Sequence, residues 1–389
     1  MIKNNLEKKW AICLGGSASK IPILRSIKAR GINCCVVDRN PNCACKYYAD
    51  LFLNISTFDY DCIIEQLKKS KIKDDVVILF AYTSLMQAQF SASRISEKLN
   101  IPGWSESILK FAWDKIAFKN LCRKIGILTP ESIISNNIDE IKHFIRKKGR
   151  VVYKPRIGGV GSESVHFIDS STNLNSTIYK DKLFFLEEYL GNELYSLDGL
   201  VVDHKIIFNL LTKKIMRSGS RIIAGFISCL NKWDYLTIQA EKLIKAMRLD
   251  NTFFSFDIIL HNGSFYFIDF GLLLDCEIDR LLAYADIDVF GLFIDYILKL
   301  TPVEKLKFNR KVAMAFLYPY KDGIIKKLPN LKDITLGPNI WVEFNKNEND
   351  RCEQKGLVSD KIGHVIRENI CWRDLQKIAN QFEEKIIIE

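Results

Sequence analysis

A lysine at the end of an apolar strand, beside a glycine-rich turn, is the first feature of this sequence with a clear chemical meaning. The stretch "VVYKPRIGGVGSESVHFI" (residues 151–168) begins as a buried strand, reaches Lys154 and continues into a turn that contains Gly158, Gly159, Gly161 and Ser162. A buried ammonium group needs an anion or water, because an unpaired buried charge is costly. Glycines let backbone N–H groups approach a phosphate closely. The stretch therefore predicts a phosphate-binding lysine beside a mobile loop, although a surface hairpin with an incidental lysine has the same pattern.

Three other segments place charged residues at the ends of strands or helices. Lys115 lies in "DKIAFKNLCRKIGILTPES", and Glu187 and Glu193 lie in "FFLEEYLGNELYSLDGLV". The segment "FFSFDIILHNGSFYFIDFG" is typical of a hairpin, with Asp257 on one arm and Asp269 on the other. Mg²⁺ prefers hard oxygen ligands and usually takes one or two carboxylates together with phosphates. The hairpin is therefore a candidate magnesium site, while a lone acid at a strand edge stays an alternative for Asp257.

The two aspartates share one face of the hairpin only if its turn has a suitable length. A two-residue turn at Asn262-Gly263 pairs position 257 with 268 and sends the carboxylates to opposite faces. A three-residue loop over 261–263 pairs position 257 with 267 and puts both carboxylates on one face. The sequence therefore predicts a bulged turn with Gly263 in the left-handed region.

The order and spacing of these segments resemble the ATP-grasp superfamily, in particular the branch that includes biotin carboxylase and the carbamoyl-phosphate synthetase large chain. The resemblance covers nearly the whole chain, and "NGSFYFID" is close to the biotin carboxylase hairpin. It implies a multidomain α/β and α+β fold. A parallel α/β pre-ATP-grasp domain is expected at 1–110, an ATP-grasp domain at 111–300 with a mobile lid at about 149–188, and a small β-rich C-terminal domain at 301–389.

The resemblance also implies a set of residues that bind ATP and Mg²⁺. Those implied to bind the nucleotide are Lys115 and Lys154 at the α- and β-phosphates, Gly158, Gly159, Gly161 and Ser162 in the lid, Glu187, Tyr189 and Leu190 at the adenine ring, and Glu193 at the ribose. Those implied to bind magnesium are Asp257 and Asp269.

The chain departs from the family's pattern just after the second metal-binding acid. The family usually reads E-x-N-x-R there, whereas this chain has Asp269, Gly271 and Leu273 in the three specified positions. Gly271 replaces the asparagine that completes the metal shell, and Leu273 replaces the arginine that steadies the acyl phosphate. Loss of such a fixed positive group raises the barrier by several kcal/mol.

Two substitutes for the missing groups are present nearby in the sequence. Asp275 offers a further metal oxygen, and Arg217 or Arg221 in "RSGSR" offers a positive charge, although that loop is also typical of a solvated turn. Glu277 falls near the place of the biotin carboxylase base, in different surroundings. A water molecule in the metal shell is a further alternative, because Mg²⁺ commonly keeps several.

The first hundred residues alternate between strand-like and helix-like segments, which predicts a parallel sheet with helices on its faces. The turn "LGGSASK" with Asp38 beyond it invites a dinucleotide-binding interpretation, but G-G-S-A-S-K is not G-x-G-x-x-G. A tight structural turn and an anion site at a helix N-terminus both stay open. In the last segment, apolar residues recur every three or four positions over 372–386, which favours a docked helix.

Composition limits the partners of the protein. The net charge of +10 is spread along the chain without a basic tail, which argues against nucleic acid and suits an anionic small molecule. No apolar stretch approaches the roughly 20 residues of a membrane span. The eleven cysteines are scattered, the C-x-C of Cys43 and Cys45 lacks zinc spacing, and a reducing cytoplasm is expected.

These observations lead to one principal functional hypothesis. The chain is expected to be an ATP-dependent carboxylate–amine ligase that forms an amide or peptide bond through an acyl phosphate and releases ADP and phosphate. Its partners would be a small-molecule carboxylate and an amine, and homodimers are common in the resembling families. The alternative is a degenerate ATP-grasp protein that binds a nucleotide or a partner without ligation. Carboxylation of a small amine nucleotide is a third, minor hypothesis.

Overall fold

The computed structural model describes residues 3–158, 165–170, 184–217, 222–230, 233–302, 304–330, 339–355 and 360–389. Its helices are α1 (Ile21–Lys28), α2 (Tyr60–Lys69), α3 (Met86–Leu99), α4 (Glu106–Trp113), α5 (Lys115–Lys124), α6 (Ile138–Lys148), α7 (Asp234–Met247), α8 (Ile278–Tyr284), α9 (Val289–Ile297) and α10 (Trp372–Lys385). None of the helices in the described ranges combines the length and apolar character that a membrane crossing requires.

The strands in the described ranges form four sheets. They are β1 (Trp10–Leu14), β2 (Asn33–Val37), β3 (Leu51–Leu53), β4 (Val76–Phe80), β5 (Ser132–Ile133), β6 (Val151–Pro155), β7 (His166–Ile168), β8 (Phe184–Glu188), β9 (Leu194–Val202), β10 (Lys205–Met216), β11 (Ile223–Ser228), β12 (Thr252–His261), β13 (Ser264–Gly271), β14 (Val312–Leu317), β15 (Gly323–Lys327), β16 (Ile340–Phe344), β17 (Arg351–Cys352), β18 (Gly363–Glu368) and β19 (Ile387–Ile388).

The N-terminal sheet is parallel and has the strand order β3-β2-β1-β4. Strands β1 and β2 are buried along all but their first residue, as expected for a parallel sheet that is covered on both faces. The predicted alternation of strands and helices is confirmed. The edge strand β3 is an addition, because three residues are too few to show a period in the sequence.

The turn after β1 is closed by a side chain of its own sheet. Gly15 has a φ of +96°, which favours glycine, and the N–H of Gly16 donates to Oδ2 of Asp38 at 2.6 Å. A Cβ on Gly16 would lie within 2.3 Å of the Cys43 sulfur. Of the two alternatives that the sequence leaves open, the structure favours the tight structural turn.

Helices α4 and α5 follow each other directly in the sequence and meet at Asp114. The Asp114 carboxylate accepts hydrogen bonds from the N–H groups of Ile116 (3.0 Å) and Ala117 (3.2 Å), which are free at a helix start. Arg156 holds the same carboxylate at 2.5 Å and comes from the segment after β6. This cap starts α5 at Lys115 and joins it to the loop beside Lys154.

The large antiparallel sheet has the order β13-β12-β9-β10-β11-β14-β18-β16. Strands β11 and β14 pair directly, so strands from either side of residue 300 share one sheet. Helix α10 docks on this sheet through Leu375 and Phe382, which are fully buried, as the apolar period predicts. A smaller antiparallel sheet, β5-β8-β6-β7, carries Lys154 and Glu187. The domain boundaries at 110 and 300 stay a prediction.

The β12–β13 hairpin has a different turn length from the predicted one, but it places the two aspartates on one face as predicted. The turn has two residues, since His261 pairs with Ser264, so the predicted three-residue loop is wrong. Gly263 is left-handed as predicted, with a φ of +74°. The bulge lies farther along, at the register shift between Asp257 and Ile258, and it pairs Asp257 with Asp269. Directly paired residues point to the same face, so both carboxylates do lie together.

An aromatic stack anchors α5 to this hairpin. Phe118 is fully buried, and its ring stacks on those of Phe256 and Phe270, with centroids 6.1 Å away in both cases. Phe256 and Phe270 flank the two aspartates along their strands and therefore point to the opposite face. The stack fixes the distance between Lys115, at the start of α5, and the aspartates of the hairpin.

Replacement of Phe118 by alanine tests this anchor. We expect Phe118→Ala to lower the free energy of unfolding by about 3–5 kcal/mol, because it removes a fully buried ring and leaves a cavity. Phe58→Ala is the matched control, since Phe58 is 43% exposed, and it should cost well under half as much. Urea titration of both variants measures the two values. Equal losses would show that the stack is not a structural anchor.

Candidate active site

Lys115 connects two parts of the predicted site, the glycine-rich loop and the carboxylate pair of the hairpin. Its ammonium group donates to the carbonyl oxygen of Gly158 at 2.8 Å and lies 3.4 Å from Oδ2 of Asp269. Its backbone N–H donates to the carbonyl of Arg156 at 3.0 Å. The side chain is largely buried. One cation therefore touches both the start of the glycine-rich loop and the carboxylate pair of the hairpin.

A second group of charges surrounds Glu187 in the smaller sheet. Lys154 donates to Oε1 of Glu187 at 2.8 Å, and the ammonium of Lys119 contacts Oε2. All three residues are buried, with exposed fractions of 8% for Lys154, 3% for Glu187 and 0% for Lys119. The anion that the buried Lys154 requires is thus a carboxylate on the neighbouring strand. Two ammonium groups against one carboxylate leave a positive excess.

The surroundings lower the pKa values of both Glu187 and Lys119. Burial alone would raise the pKa of Glu187, but the ammonium groups of Lys119 and Lys154 lower it below its ordinary value. Burial lowers the pKa of Lys119 to about 8, despite the opposing effect of Glu187. The Glu187 carboxylate therefore stays ionised at neutral pH.

A third group of charges lies on one face of the large sheet. Lys214 is buried and contacts Oδ1 of Asp257 at 2.6 Å and Oδ2 of Asp275 at 2.5 Å. Asp198 accepts a hydrogen bond from the backbone N–H of Asp275 at 2.6 Å. Burial alone would lower the pKa of Lys214, but the carboxylates of Asp257 and Asp275 raise it well above its ordinary value.

The acids of this group differ in the direction of their pKa shifts. Burial raises the pKa of Asp198, and the nearby Asp275 carboxylate adds to the effect. Burial also raises the pKa of Asp257, against the effect of Lys214. For Asp275, Lys214 outweighs burial and lowers the pKa. The group holds more carboxylates than cations, so it attracts positive charge.

The carboxylates on this face of the hairpin have the chemistry of magnesium ligands. Asp257 and Asp269 are paired across the strands, and both are carboxylates, the hard ligands that Mg²⁺ prefers. The buried hydroxyl of Thr212, which shares the face with Lys214, has no hydrogen-bond partner among the described residues. Within those residues no group of three or more acids, histidines or cysteines is already arranged around a metal position. The Lys214 ammonium instead stands between Asp257 and Asp275.

The departure from the family's pattern has a structural counterpart. Gly271 pairs with Ser255, and a Cβ on Gly271 would lie 2.8 Å from the Ser255 hydroxyl. A larger side chain there requires Ser255 to move, so the position is adapted to glycine. Leu273 is partly buried and packs against the apolar core. Asp275, in contrast, reaches the charge cluster, as its predicted role requires.

Three predicted nucleotide contacts lie elsewhere around the site. Glu193 accepts hydrogen bonds from Lys213 (2.6 Å) and from the Tyr195 hydroxyl (3.0 Å). Lys213 and Tyr195 alternate with the residues of the charged face, so the structure does not bring Glu193 to the aspartates. The Tyr189 ring packs edge-on against Phe167, and Leu190 is buried.

Of the two predicted catalytic arginines, the structure describes Arg217. The guanidinium of Arg217 lies over the Tyr318 ring, 5.6 Å from its centroid. Gly159, Gly161, Ser162 and Arg221 lie outside the described residues, so their roles stay predictions, as does that of Arg217. Gly158 is described and has a φ of +68°.

Glu277 is unsuited to the role of a general base. Its carboxylate lies 3.0 Å from both the Lys361 ammonium and Nδ1 of His364, and it accepts from Asn345 at 2.7 Å. Burial alone would raise the pKa of Glu277, but His364 and Lys361 lower it to about 2. A base that works near neutral pH needs a much higher pKa.

Sequence reasoning missed Lys119, Lys214 and Asp198. Lys119 follows Lys115 by four residues and therefore lies on the same face of α5, which is a signal that the sequence does contain. Lys214 and Lys213 are adjacent on a strand and point to opposite faces, but their letters do not show which face is buried. Asp198 lies in an apolar strand, where a buried acid is a warning of function.

Comparisons with known proteins add the fold class. No protein-family model matches the sequence, and no curated protein matches it. Solved structures match over nearly the whole chain. Phosphoribosylglycinamide synthetase from Anaerococcus prevotii has a TM-score of 0.74 at 18% identity, covering 98% of this chain and 99% of that one. L-amino acid ligase from Bacillus licheniformis has a TM-score of 0.75 at 14% identity, with coverages of 98% and 99%.

A third structure is a biotin carboxylase in complex with β,γ-ATP from Campylobacter jejuni. Its TM-score is 0.74 at 16% identity, and the match covers 97% of this chain and 92% of that one. At such identities the similarity establishes the fold alone. The chain has the ATP-grasp fold, and the fold class predicted from the sequence is confirmed.

The pH dependence of stability tests the buried state of Lys119. Its pKa is about 8 in the folded protein against 10.5 ordinarily, so between these values the unfolded chain binds more protons. The free energy of unfolding should therefore rise with pH in this window, on the order of 3 kcal/mol more in the wild type than in Lys119→Met. Denaturant titrations across the window measure the difference. Lys124→Met, an exposed change on the same helix, should keep the wild-type slope; a Lys119→Met slope equal to that of the wild type contradicts the assignment.

Removal of the Lys214 ammonium tests the third group of charges. Lys214→Met leaves Asp257 and Asp275 without their shared cation, so we expect a loss of about 3 kcal/mol in the free energy of unfolding at neutral pH. The adjacent, half-exposed Lys213→Met removes only the contact with Glu193 and should cost less than about 1 kcal/mol. Thermal or urea unfolding compares the two. Equal losses of unfolding free energy in the two variants would show that the buried contacts of Lys214 with Asp257 and Asp275 do not contribute more than the exposed contact of Lys213.

Proposed function

We propose that this chain is an ATP-dependent carboxylate–amine ligase. One observation carries the proposal: Lys115 touches both Gly158, at the start of the glycine-rich loop, and Asp269, in the carboxylate pair. The groups that we propose to bind phosphate and metal thereby lie close together. Around it, the cluster of Lys119, Lys154 and Glu187 has a positive excess, which suits phosphates, and the acids near Lys214 have a negative excess, which suits a cation.

In the proposed reaction, a carboxylate oxygen attacks the γ-phosphorus of ATP and ADP leaves. The amine nitrogen then attacks the carbonyl carbon of the acyl phosphate, phosphate leaves, and the amine loses a proton to solvent. Lys115 and Lys154 hold the phosphates in position, so the enzyme acts mainly by orientation and charge neutralisation. Magnesium, held by Asp257 and Asp269 with Asp275 beside them, would offset the charge of the triphosphate.

The known proteins of this fold support the general reaction. The names of two of them, an L-amino acid ligase and phosphoribosylglycinamide synthetase, describe ligation or synthesis, and the third structure contains β,γ-ATP. The substrates here would be a small carboxylate and a small amine. All eleven cysteines are free thiols, which suits a reducing compartment such as the cytoplasm.

A second candidate function is nucleotide binding without ligation. It is favoured by the absence of the usual asparagine and arginine, at Gly271 and Leu273, and by the Lys214 ammonium between Asp257 and Asp275. A cation that occupies these carboxylates competes with a metal. In this case the protein would bind ATP but would not transfer its phosphate to a carboxylate.

Trapping of the acyl phosphate separates the two candidates. Hydroxylamine replaces the natural amine, so any acyl phosphate becomes a hydroxamate that iron(III) colours. We expect a hydroxamate and an equal amount of ADP with at least one acid from a panel of L-amino acids and dicarboxylic acids, in the presence of Mg²⁺ and ATP. Lys154→Ala and Asp269→Asn should lower the rate by roughly 100-fold or more, because the first removes a charge proposed to hold the nucleotide phosphates and the second removes a proposed magnesium ligand.

Matched surface variants control for general damage. Lys142→Ala and Asp61→Asn change exposed residues of the same types and should keep the wild-type rate. ATP binding without hydroxamate or ADP from any acid would support the second candidate. A rate that is equal in wild type, Lys154→Ala and Asp269→Asn would contradict the assignment of the site.

A further inference from the structure

A basic cleft lies at the far end of the large sheet from the candidate active site. Its volume is about 830 Å³, within the range of sites for small molecules. The charged residues of its lining are Lys205, Glu241, Lys245, Arg248 and Lys305. Lys205 starts β10, and Lys214 of the candidate active site is nine residues farther along the same strand. At roughly 3.3 Å per residue, the two places are about 30 Å apart.

Three separate elements form the walls, and hydrogen bonds donated by backbone N–H groups hold them together. The turn between β9 and β10 is tied to the segment after α7, since the N–H of His204 donates to Oδ1 of Asp250 at 2.8 Å. The segment that carries Lys305 is tied to β10, since the N–H of Leu306 donates to the carbonyl of Ile207 at 2.8 Å. These bonds set the relative positions of the backbone segments that form the walls.

The charge of the lining is strongly one-sided. Four cations face one carboxylate, Glu241, which leaves a net charge of +3 with His204 neutral. None of the four cations, all of which are exposed, forms an ion pair within 4.0 Å with an acid in the described part of the chain, whereas the buried lysines Lys119, Lys154 and Lys214 of the candidate active site do. The acids next to the cleft in sequence, Asp203 and Glu304, are not part of its lining.

Helix capping explains only part of this arrangement. Lys245 and Arg248 lie at the C-terminal end of α7, where the helix dipole favours positive charge. The dipole is equivalent to about half a negative charge, so it does not cancel the excess. Lys205 and Lys305 come from other elements and point into the same space, where their mutual repulsion is a cost. An anion between them removes that cost.

We propose that this cleft binds a small phosphate-bearing anion at a site separate from the candidate nucleotide site. The guanidinium of Arg248 offers two parallel donors for phosphate oxygens, and the lysines offer charge from two further sides. Ile206 and Ile207 form an apolar floor on which a non-polar part of the ligand rests. The chemistry is that of a phosphorylated metabolite, and the site does not depend on the proposed ligase activity.

Calorimetric titration with inorganic pyrophosphate in Mg²⁺-free buffer tests the proposal. We expect the wild type to bind pyrophosphate, and the triple variant Lys205→Gln, Lys245→Gln, Lys305→Gln to bind it roughly tenfold more weakly or worse. The control triple variant Lys68→Gln, Lys124→Gln, Lys142→Gln removes the same charge from exposed helix faces and should stay within about twofold of the wild type. If the first triple variant does not fold, Lys205→Gln and Lys305→Gln alone should each weaken binding several-fold.

Three results would overturn the proposal. One is the absence of pyrophosphate binding to the wild type at millimolar concentration, and another is an equal loss in the two triple variants. The third is tighter binding of a short single-stranded RNA through the same lysines, which would make the cleft a nucleic-acid contact. Lys154→Ala should retain the cleft binding, and the cleft variants should retain Mg²⁺–ATP binding, so failure of the cleft and failure of the proposed function are distinguishable.

Discussion

The pairing of Asp257 with Asp269 across the β12–β13 hairpin is the constraint on which the candidate active site depends. The two-residue turn alone would send these carboxylates to opposite faces, and the bulge beside Asp257 restores them to one face. Their mutual repulsion is offset by Lys115 on one side and Lys214 on the other. The aromatic stack around Phe118 holds the opposite face, so the position of Lys115 is set by the core.

The buried charges of the site form two groups with opposite excess. Lys119 and Lys154 share Glu187, which leaves positive charge near the glycine-rich loop. Lys214 shares its charge among more acids than it can neutralise, which leaves negative charge at the hairpin. A nucleotide triphosphate with a bound cation has the complementary arrangement. Burial of charges at this density costs stability, and the proposed ligand, with its complementary charge, would offset that cost.

The sequence was sufficient for the order of the elements and the fold class, because alternating segments leave strong local signals, and charged strand ends were enough to propose most members of the candidate site. It failed where the answer depended on partners from distant segments. The length of the hairpin turn could be stated as alternatives, but the sequence does not show the bulge at Asp257, where the register between β12 and β13 shifts. The burial of Lys119, on helix α5, depends on Glu187, which lies on strand β8 of the smaller sheet. Lys213 and Lys214 have identical chemistry in the sequence, and only the packing of the sheet makes one of them central.

The most direct test of the central claim is calorimetric titration of the protein with ATP, with and without Mg²⁺, in the wild type and in Asp269→Ala. The account predicts that ATP binds, that Mg²⁺ strengthens the binding, and that Asp269→Ala abolishes the effect of Mg²⁺ while retaining weaker binding of free ATP. Binding that is unaffected by Mg²⁺ in both proteins would contradict the role of the aspartate pair. Absence of ATP binding at millimolar concentration would contradict the nucleotide site itself.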